Sequence, residues 1–396
     1  MPRFRPFPGI RYDLARVALG DVVSPPYDVI DDGQRARLAA RSPYNAVRID
    51  LPIYENGEDR YTVASRLFSR WQSEGVLVRD REPTFTVYRM SYADDAGVDR
   101  HTTGVIGALD LRPSGADILP HEQTTPKARS DRLDLLRACR ANLSAIWGLS
   151  LAKGLTDLLP VDAEPVADVD DGEGVRHTIW IVDQPEVNDA IADAVMAQPV
   201  VIADGHHRYE TSLTYLSERE RSEGKASGAA ATLAFVVELV EDELTVRAIH
   251  RLLNGLPTGF DLVAALEPWF EPAGPPPAGV PLTAAMIEAG AMCAVLPTGE
   301  VMLRPRPEAF AEARDLDSAR LDVALAALPT HEVAFQHGPD NVRRAVAAGV
   351  AQAGVLLRPA SVAQIEATAH GGERMPPKTT FFHPKPKTGL VFRDLG

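Results

Sequence analysis

The spacing of hydrophobic residues changes along the chain between two periods, and each period predicts one kind of element. Residues 58–75 carry hydrophobic side chains at every third or fourth position, which is typical of one buried face of a helix. Residues 84–92 and 101–111 place them at largely alternate positions, as in half-buried strands, and a turn signal at 94–97 lies between the two. The two periods therefore predict a helix followed by a β-hairpin.

Helical and strand-like patterns go on alternating through the middle of the chain. The stretch at 229–240 is almost continuously apolar and predicts a buried strand. Because strands alternate with helices and hairpins, we expect an α/β (mixed α+β) fold with mixed sheets rather than a doubly wound parallel sheet. The other predicted elements are helices at 130–139 and 185–196, strands at 144–151, 176–182 and 199–203, and a helix that follows the last of these strands.

Two changes in composition predict boundaries within the chain. Residues 157–174 are acidic with little periodicity, as in an exposed connection, and residues 272–277 are rich in Pro and Gly, as in a stiff linker. We therefore expect three regions, and we expect the apolar tail of the last one to pack back onto the body. The regions are an N-terminal α/β region at 1–156, a central region at 175–270, and a smaller C-terminal α/β region at 280–396.

Composition narrows the class of protein further. The 396 residues are 45% hydrophobic and carry a formal net charge of −14, which allows a sizeable core and argues against a nucleic-acid partner. Neither of the two cysteines has a neighbour at zinc-site spacing, so we expect reduced thiols. The start lacks a secretory apolar region, and no apolar run approaches the ~20 residues of a membrane span. We expect a cytoplasmic protein without membrane contact, and its oligomeric state stays open.

The segment with the densest candidate chemistry is the turn Asp204-Gly205-His206-His207-Arg208, which follows the predicted strand at 199–203. Gly205 permits a positive φ and a close approach of ligand to backbone, and a helix that starts here points its first N–H groups at an anion. Arg208 can hold phosphate oxygens, and His206 and His207 offer donors or one acid/base group. Asp204 would orient a histidine or bind a divalent cation, and its plainer role is that of a helix cap.

A second polar segment lies at 119–132, between a predicted strand and a predicted helix. Glu122 is a candidate general base, with His121 as the alternative. Taken alone, the segment also fits a solvated loop that ends in a helix cap. The cations that we expect to steady a phosphate here are Lys127, Arg129 and Arg132.

The loop at 22–30 carries two prolines that rigidify it, followed by Asp28, which is either a ligand contact or a turn former. Two other groups of basic residues are more typical of structural and solvated positions. They are the pair His250-Arg251, and the tail residues Lys378, His383, Lys385 and Lys387.

Six segments together resemble one family, the bacterial and archaeal domain-of-unknown-function 1015 (DUF1015) family. The resemblance covers nearly the whole chain, and it implies no established activity. The segments are Ser-Pro-Pro-Tyr-Asp-Val-Ile at 24–30, Ser-Pro-Tyr-Asn-Ala-Val-Arg at 42–48, His-Glu-Gln-Thr at 121–124, Asp-Gly-His-His-Arg-Tyr at 204–209, Ile-His-Arg at 249–251 and Thr-Thr-Phe-Phe-His-Pro-Lys at 379–385.

The 204–208 turn is also similar to the phosphate-binding turn of the ParB/sulfiredoxin-like superfamily, which includes CTP-binding partition proteins, sulfiredoxin and free-serine kinases. This resemblance implies that Gly205, His206, His207 and Arg208 contact phosphates. It also implies that the early loop at 25–29 brings Asp28 to the same pocket. The chain departs from the superfamily in two respects. A long insertion would enlarge the core, and a histidine stands where sulfiredoxin has its active cysteine, so sulfiredoxin chemistry is not expected.

These observations lead to one functional hypothesis and two alternatives. We expect phosphoryl transfer to a small hydroxylated metabolite, with serine or phosphoserine as candidates, and with ATP, ADP or CTP as nucleotide. Mg²⁺ would bridge the phosphates, and Glu122 or Asp28 would accept the hydroxyl proton. The first alternative is a CTP- or ATP-binding switch protein without turnover. The second is a phosphatase of phosphoserine-like esters that uses His206 or His207 as nucleophile or acid.

Overall fold

The structure of the protein is a computed structural model, and it falls into two compact units. Unit 1 comprises Met1–Thr245 together with Pro384–Gly396, and unit 2 comprises Val246–His383. No helix among the described residues is long and apolar enough to cross a membrane. The described residues are 2–94, 97–112, 117–120, 129–223, 228–311, 313–371, 375–376 and 378–396.

Strands and helices alternate along both units. The strands are β1 Phe4–Arg5, β2 Ile10–Tyr12, β3 Leu77–Arg79, β4 Phe85–Ala93, β5 Asp99–Asp110, β6 Ile118–Pro120, β7 Ala141–Asn142, β8 Ile146–Ser150, β9 Ala167–Asp170, β10 Val175–Val182, β11 Val200–Asp204, β12 Ala231–Glu238, β13 Thr245–Asn254, β14 Phe270–Pro272, β15 Met292–Leu296, β16 Gly299–Pro305, β17 Glu332–His337, β18 Ala353–Leu356, β19 Thr380–His383 and β20 Arg393–Asp394. The helices are α1 Leu19–Val22, α2 Asp32–Arg41, α3 Val47–Asp50, α4 Arg60–Ser73, α5 Arg129–Cys139, α6 Pro185–Met196, α7 His206–Glu223, α8 Leu262–Leu266, α9 Leu282–Ala289, α10 Asp317–Ala326, α11 Pro339–Ala347 and α12 Val362–His370, with short 3₁₀ turns at Tyr27–Val29, Thr156–Leu158, Glu241–Glu243 and Pro307–Phe310.

Unit 1 is built on one large mixed sheet. Its strands lie in the order β6-β11-β8-β12-β5-β4-β10-β9, with β1 beside β5. The pairs β6/β11 and β8/β12 are parallel, and the other pairs are antiparallel. The predicted mixed sheet is confirmed, and so is the predicted hairpin, because β4 and β5 pair from Thr86 opposite Ile106 to Ala93 opposite Asp99.

The centre of this sheet is buried on both faces, which explains why its strands are continuously apolar rather than alternating. Every residue of β8 and β12 is buried, as the pattern at 229–240 predicts. Gly107 of β5 leaves room for the stacked rings of Phe4 and Phe85, whose centroids are 5.0 Å apart. A Cβ at Gly107 would lie 2.5 Å from atoms of both rings, so the packing of the core requires glycine there.

The helices of unit 1 form as the pattern at 58–75 and 130–139 predicts. Helix α4 begins after Asp59, whose carboxylate accepts hydrogen bonds from the backbone N–H groups of Tyr61 and Thr62. Its buried face includes Phe68 and Trp71. Helix α5 packs against both α4 and α7.

Unit 2 has its own antiparallel sheet and its own core. The strand order is β14-β16-β15-β18-β13-β17, with β19 beside β13. The Pro/Gly-rich stretch predicted as a linker belongs to this unit, because the Ala273 N–H donates to the Met302 carbonyl and the Met302 N–H donates to the Gly274 carbonyl. Arg251 is buried within unit 2 and donates to the Ile249 carbonyl at 2.6 Å, which fits the structural role that we expected for it.

The division into units differs from the three regions expected from composition. The predicted N-terminal region supplies β4, β5 and β8 to the sheet of unit 1, and the predicted central region supplies β10, β11 and β12 to the same sheet. The acidic stretch at 157–174 contributes the edge strand β9, which pairs with β10. A single sheet therefore extends across the boundary that the acidic composition indicated.

We predict that Gly107→Ala destabilises unit 1 by about 1–3 kcal/mol, because the new methyl group overlaps two buried rings. The measurement is urea unfolding followed by intrinsic fluorescence. Gly20→Ala is the matched control, since its Cβ would meet only the Asp170 carbonyl oxygen at 3.7 Å. Equal stability of the two variants would contradict the packing of Gly107 described above.

Candidate functional site

The 204–208 segment forms a strand-to-helix turn, as its sequence predicts. Strand β11 ends at Asp204, Gly205 has a φ of +87°, and α7 starts at His206. The Tyr209 N–H closes the first helical hydrogen bond onto the Gly205 carbonyl at 2.9 Å. A Cβ at Gly205 would lie 3.1 Å from Ile146 Cα and 3.1 Å from Arg208 Nε. Glycine is therefore required here both by the backbone angle and by its neighbours.

The carboxylate of Asp204 binds two cations at once. Its Oδ2 accepts from Arg208 Nη2 at 2.6 Å, and its Oδ1 accepts from Lys385 Nζ. Burial acts to raise the pKa of Asp204, but Lys385 and Arg208 outweigh burial and hold that pKa well below its usual range. Together the three side chains carry one net positive charge. They lie at the N-terminal end of α7, where the helix dipole is also positive.

Lys385 reaches the turn because the segment 385–388 is fixed to unit 1 at several points. Lys387 Nζ lies 2.8 Å from Asp171 Oδ2, and the backbone of Thr388 exchanges two hydrogen bonds with Ser24, at 2.8 and 3.1 Å. The tail lysines were expected on a solvated face, and that expectation is wrong for Lys385 and Lys387. Both are largely buried, because each neutralises a buried carboxylate.

Arg208 folds back over the turn instead of extending into solvent. Besides Asp204, its guanidinium donates through Nη1 to the Ala145 carbonyl. Its Nε atom is buried and has no hydrogen-bond partner among the described residues. Burial acts to lower the pKa of Arg208, but Asp204 and then Asp28 outweigh it, and the pKa is raised. The side chain is thus a fixed cation, and of its three nitrogens Nε is the one without a partner among the described residues.

Tyr27 lies between two arginines and connects the early loop to the turn. Its ring centroid is 4.0 Å from Arg132 Cζ and 5.9 Å from Arg208 Cζ, and burial raises its pKa to about 12. The neighbouring Asp28 is exposed, and its charge acts on Tyr27, Arg208 and Asp50. The loop at 25–29 therefore lies near the turn, although no direct contact links Asp28 to it among the described residues.

Arg132 and Asp50 form the wall beyond Tyr27. Arg132 donates through Nη1 to the Asp50 carbonyl at 2.7 Å, and through Nε and Nη2 to Asp131 at 2.8 and 2.6 Å. Asp50 is 2% exposed, and its carboxylate accepts long hydrogen bonds from Thr388 Oγ1 at 3.3 Å, Arg132 Nη1 at 3.4 Å and Ser144 Oγ at 3.5 Å. Burial raises the pKa of Asp50, and Arg132 and Arg208 reduce that rise without cancelling it.

These side chains surround a cavity of about 50 Å³ that lies against the first turns of α7. Its polar lining comes from α3, α5, α7, the short strand β7, the loop that follows β7, and the central strand β12. The lining residues are Asp50, Arg132, Leu135, Leu136, Ala141, Asn142, Leu143, Ser144, Arg208, Thr211, Ser212 and Thr232.

The remaining predicted site residues divide into two groups. His206 and His207 lie in the first turn of α7, are partly buried, and His206 contributes to lowering the pKa of Asp204. Arg129 begins α5, but its side chain lies outside the described residues, as do His121, Glu122 and Lys127 entirely. The strand that precedes them, β6, ends at Pro120, which pairs in parallel with Ile202 of β11.

Asp204 does not fit the role of a metal ligand in this arrangement. Both of its carboxylate oxygens are already bound by cations, and a divalent ion would have to displace Lys385 or Arg208. Within the described ranges, no group of three or more His, Cys, Asp and Glu side chains is placed to hold a metal ion.

Sequence reasoning missed Asp50, Tyr27 and Lys385 as parts of the site. A signal was present for each, because Tyr27 lies inside the motif at 24–30, Lys385 ends the motif at 379–385, and Asp50 follows the motif at 42–48 by two residues. None of the three has a local pattern that separates it from a structural residue.

Comparisons with known proteins yield one family and several distant structures. The family model described as "Protein of unknown function (DUF1015)" matches residues 4–324, and no curated protein matches the chain. Similar solved structures include a free serine kinase in complex with AMP (14% identity, TM-score 0.38, covering 72% of this chain and 93% of that chain). Others are SbnI with a C-terminal truncation from Staphylococcus aureus (12%, 0.39, 73% and 87%) and a conserved hypothetical protein from Pyrococcus furiosus (11%, 0.36, 71% and 98%).

We predict that Gly205→Ala destabilises the protein by about 1–3 kcal/mol more than Gly57→Ala does. Both glycines have a similar φ, +87° and +85°, but only a Cβ at Gly205 would meet neighbouring atoms. The pair of variants therefore separates the cost of close packing from the cost of the backbone angle. Urea unfolding of both variants measures the difference, and an equal loss in the two would argue against the close approach of Ile146 and Arg208.

We predict that Asp204→Asn lowers the free energy of unfolding by about 3–5 kcal/mol near neutral pH, because it leaves two buried cations without their carboxylate. A carboxyl whose pKa is depressed by folding stabilises the protein above its unfolded pKa of about 3.9, and this contribution is lost as the pH falls through the folded value. The gap between wild type and variant should therefore narrow below about pH 4. Urea unfolding at a series of pH values tests this, with the exposed Asp189→Asn as control. A difference in unfolding free energy between wild type and variant that stays constant at acid pH would contradict the ion pairs of Asp204 with Arg208 and Lys385.

Proposed function

We propose a phosphotransferase function for this chain, which belongs to the family of proteins of unknown function DUF1015. In this proposal, unit 1 binds the phosphates of a nucleotide at the 204–208 turn and transfers a phosphoryl group to a small hydroxylated metabolite. The family description names no activity, so the proposal is supported by the residues of the site.

The observation that carries the proposal is the pair of cations that Asp204 holds at the start of α7. Arg208 and Lys385 leave one positive charge uncompensated within the triad, in a protein whose formal net charge is −14. The same position receives the positive end of the dipole of an 18-residue helix. A cation cluster of this kind at a Gly-containing strand-to-helix turn suits phosphate oxygens better than it suits a neutral ligand.

Phosphoryl transfer suits such a site because the reaction requires positioning and charge neutralisation more than covalent chemistry. Arg208 and Lys385 would neutralise the charge that develops on the transferred group, and the first turn of α7, with Gly205, His206 and His207, would hold the phosphates. Lys127, Arg129 and Arg132 would steady them. Asp28 stays a candidate for the acceptor of the hydroxyl proton, as does Glu122, which lies outside the described residues.

The ion pairs of Asp204 determine how Mg²⁺ would enter the site. Because this carboxylate is occupied by two cations, Mg²⁺ would arrive with the phosphates of the nucleotide and not on a preformed protein site. Each nucleotide should therefore be assayed with and without Mg²⁺. Serine and phosphoserine are the first small ligands to assay, since the resemblance of the turn extends to free-serine kinases.

We predict that ATP, ADP or CTP raises the melting temperature of the wild type and that Arg208→Ala abolishes the rise. A ligand at 100 times its Kd stabilises a protein by about 2.7 kcal/mol, which a thermal-shift assay resolves. Arg137→Ala is the matched control, because Arg137 is an exposed arginine that pairs with Glu218 on α7 away from the turn. The ligand-induced shift is compared within each variant, so a lower starting stability does not affect the result.

If none of the three nucleotides shifts the wild type, the proposal fails. A shift that survives in Arg208→Ala would place the ligand elsewhere. A nucleotide that binds one per chain, without turnover in the presence of any hydroxylated acceptor, would identify a switch protein, and phosphate release from phosphoserine without nucleotide would identify a phosphatase.

A further inference from the structure

The cavity beside α7 has room for a small polar group. A single water occupies roughly 10–15 Å³, and this cavity offers about 50 Å³. It can therefore hold a few waters or a short polar arm of a ligand.

Two lining groups have polar atoms that lack partners. Arg208 Nε and Thr211 Oγ1 are both buried, in side chains that are at least nine-tenths buried, and neither has a hydrogen-bond partner among the described residues. Buried polar atoms are almost always satisfied, so two unsatisfied ones in residues that line one cavity favour a polar occupant. An apolar side chain or an empty void would leave both groups desolvated at a cost of about 1–3 kcal/mol each.

Asp50 is the one carboxylate among the residues that line this cavity. Its strong contact with Arg132 is made by its backbone carbonyl at 2.7 Å, whereas its carboxylate oxygens accept only at 3.3–3.5 Å. A carboxylate with such long hydrogen bonds can still accept a short one from a hydroxyl group. Burial also raises the pKa of Asp50, and a carboxylate with a raised pKa is a stronger base once it is ionised.

We infer that this cavity is the acceptor subsite, that it takes the hydroxyl-bearing arm of a small metabolite, and that Asp50 is the general base. The inference rests on the proposed function, since it needs a nucleotide at the 204–208 turn. Arg208 connects the two places, because its Nη2 binds Asp204 at the turn and its side chain lines the cavity.

The reaction that this arrangement supports is balanced in atoms and charge. The acceptor hydroxyl oxygen forms a bond to the γ-phosphorus of a nucleoside triphosphate, and the bond from that phosphorus to the bridging oxygen breaks. The electron pair of the broken bond stays on the departing nucleoside diphosphate. The hydroxyl proton moves to a carboxylate oxygen of Asp50, which releases it to solvent afterwards.

The test uses the full-length protein with ATP and a panel of short hydroxylated acceptors: L-serine, L-threonine, ethanolamine and glycerol. We expect Asp50→Asn to lower kcat by about 100- to 10,000-fold while the ATP-induced thermal shift persists. We also expect the acid limb of the wild-type pH–rate profile to be missing from the residual activity of the variant. Asp317→Asn is the matched control, because Asp317 is also buried and paired with an arginine, Arg358, but in unit 2.

A milder variant keeps the inference testable if Asp50→Asn does not fold. Thr211→Val preserves the shape of the side chain and removes the orphaned hydroxyl, so it should raise the KM for the acceptor by about tenfold and leave the ATP shift unchanged. Thr156→Val is its control, since Thr156 Oγ1 also lacks a partner among the described residues but does not line the cavity.

The outcomes separate this inference from the proposed function. Absence of any nucleotide shift in the wild type refutes both. Turnover that survives in Asp50→Asn at a comparable rate refutes the role of Asp50 and leaves the phosphotransferase standing. Nucleotide binding without phosphorylation of any acceptor, or a KM for the acceptor that is the same in Thr211→Val and wild type, refutes the acceptor subsite and leaves the nucleotide site standing.

Discussion

Two cations from distant parts of the chain share the carboxylate of Asp204, and the arrangement of the site follows from this sharing. Removing three charged groups from water is costly, and only their mutual attraction offsets that cost. Arg208 consequently cannot extend into solvent, and Lys385 brings the segment 385–388 against the body of unit 1. The position of Arg208 in turn fixes one wall of the cavity that Asp50 also lines.

The site is assembled where several separate segments meet around the start of one helix. Strand β11 delivers Asp204 at its carboxyl end, which is where open α/β sheets commonly place ligand groups. The early loop contributes Tyr27, α3 contributes Asp50 and α5 contributes Arg132. Only the turn itself is local in sequence. The electrostatics of the site depend on the tertiary fold, since each carboxylate is paired with a cation from another element.

The sequence was sufficient for those features that are local. The turn was predictable because a buried strand, a glycine and a helix follow one another within a few residues, and the β4/β5 hairpin was predictable because alternation and a turn signal are adjacent. Asp50 and Lys385 were not predictable as site residues. They belong to the site because they are buried beside other charged groups, and that burial is set by residues distant in the sequence. The division into units was likewise not encoded in composition, since strand order joins β4, β5 and β8 to β10, β11 and β12 in one sheet.

The pairing of Asp204 with Lys385 also has a consequence for the order of events during synthesis. The two residues are 181 positions apart, so at roughly 5–20 residues per second a ribosome adds Lys385 about 10 to 40 s after Asp204. During that interval Arg208 is the one of these two cations that is already present in the nascent chain. The net positive charge around Asp204 is complete only when the second cation arrives, so a nascent chain that has not yet reached residue 385 lacks the electrostatic feature on which the proposed anion binding depends.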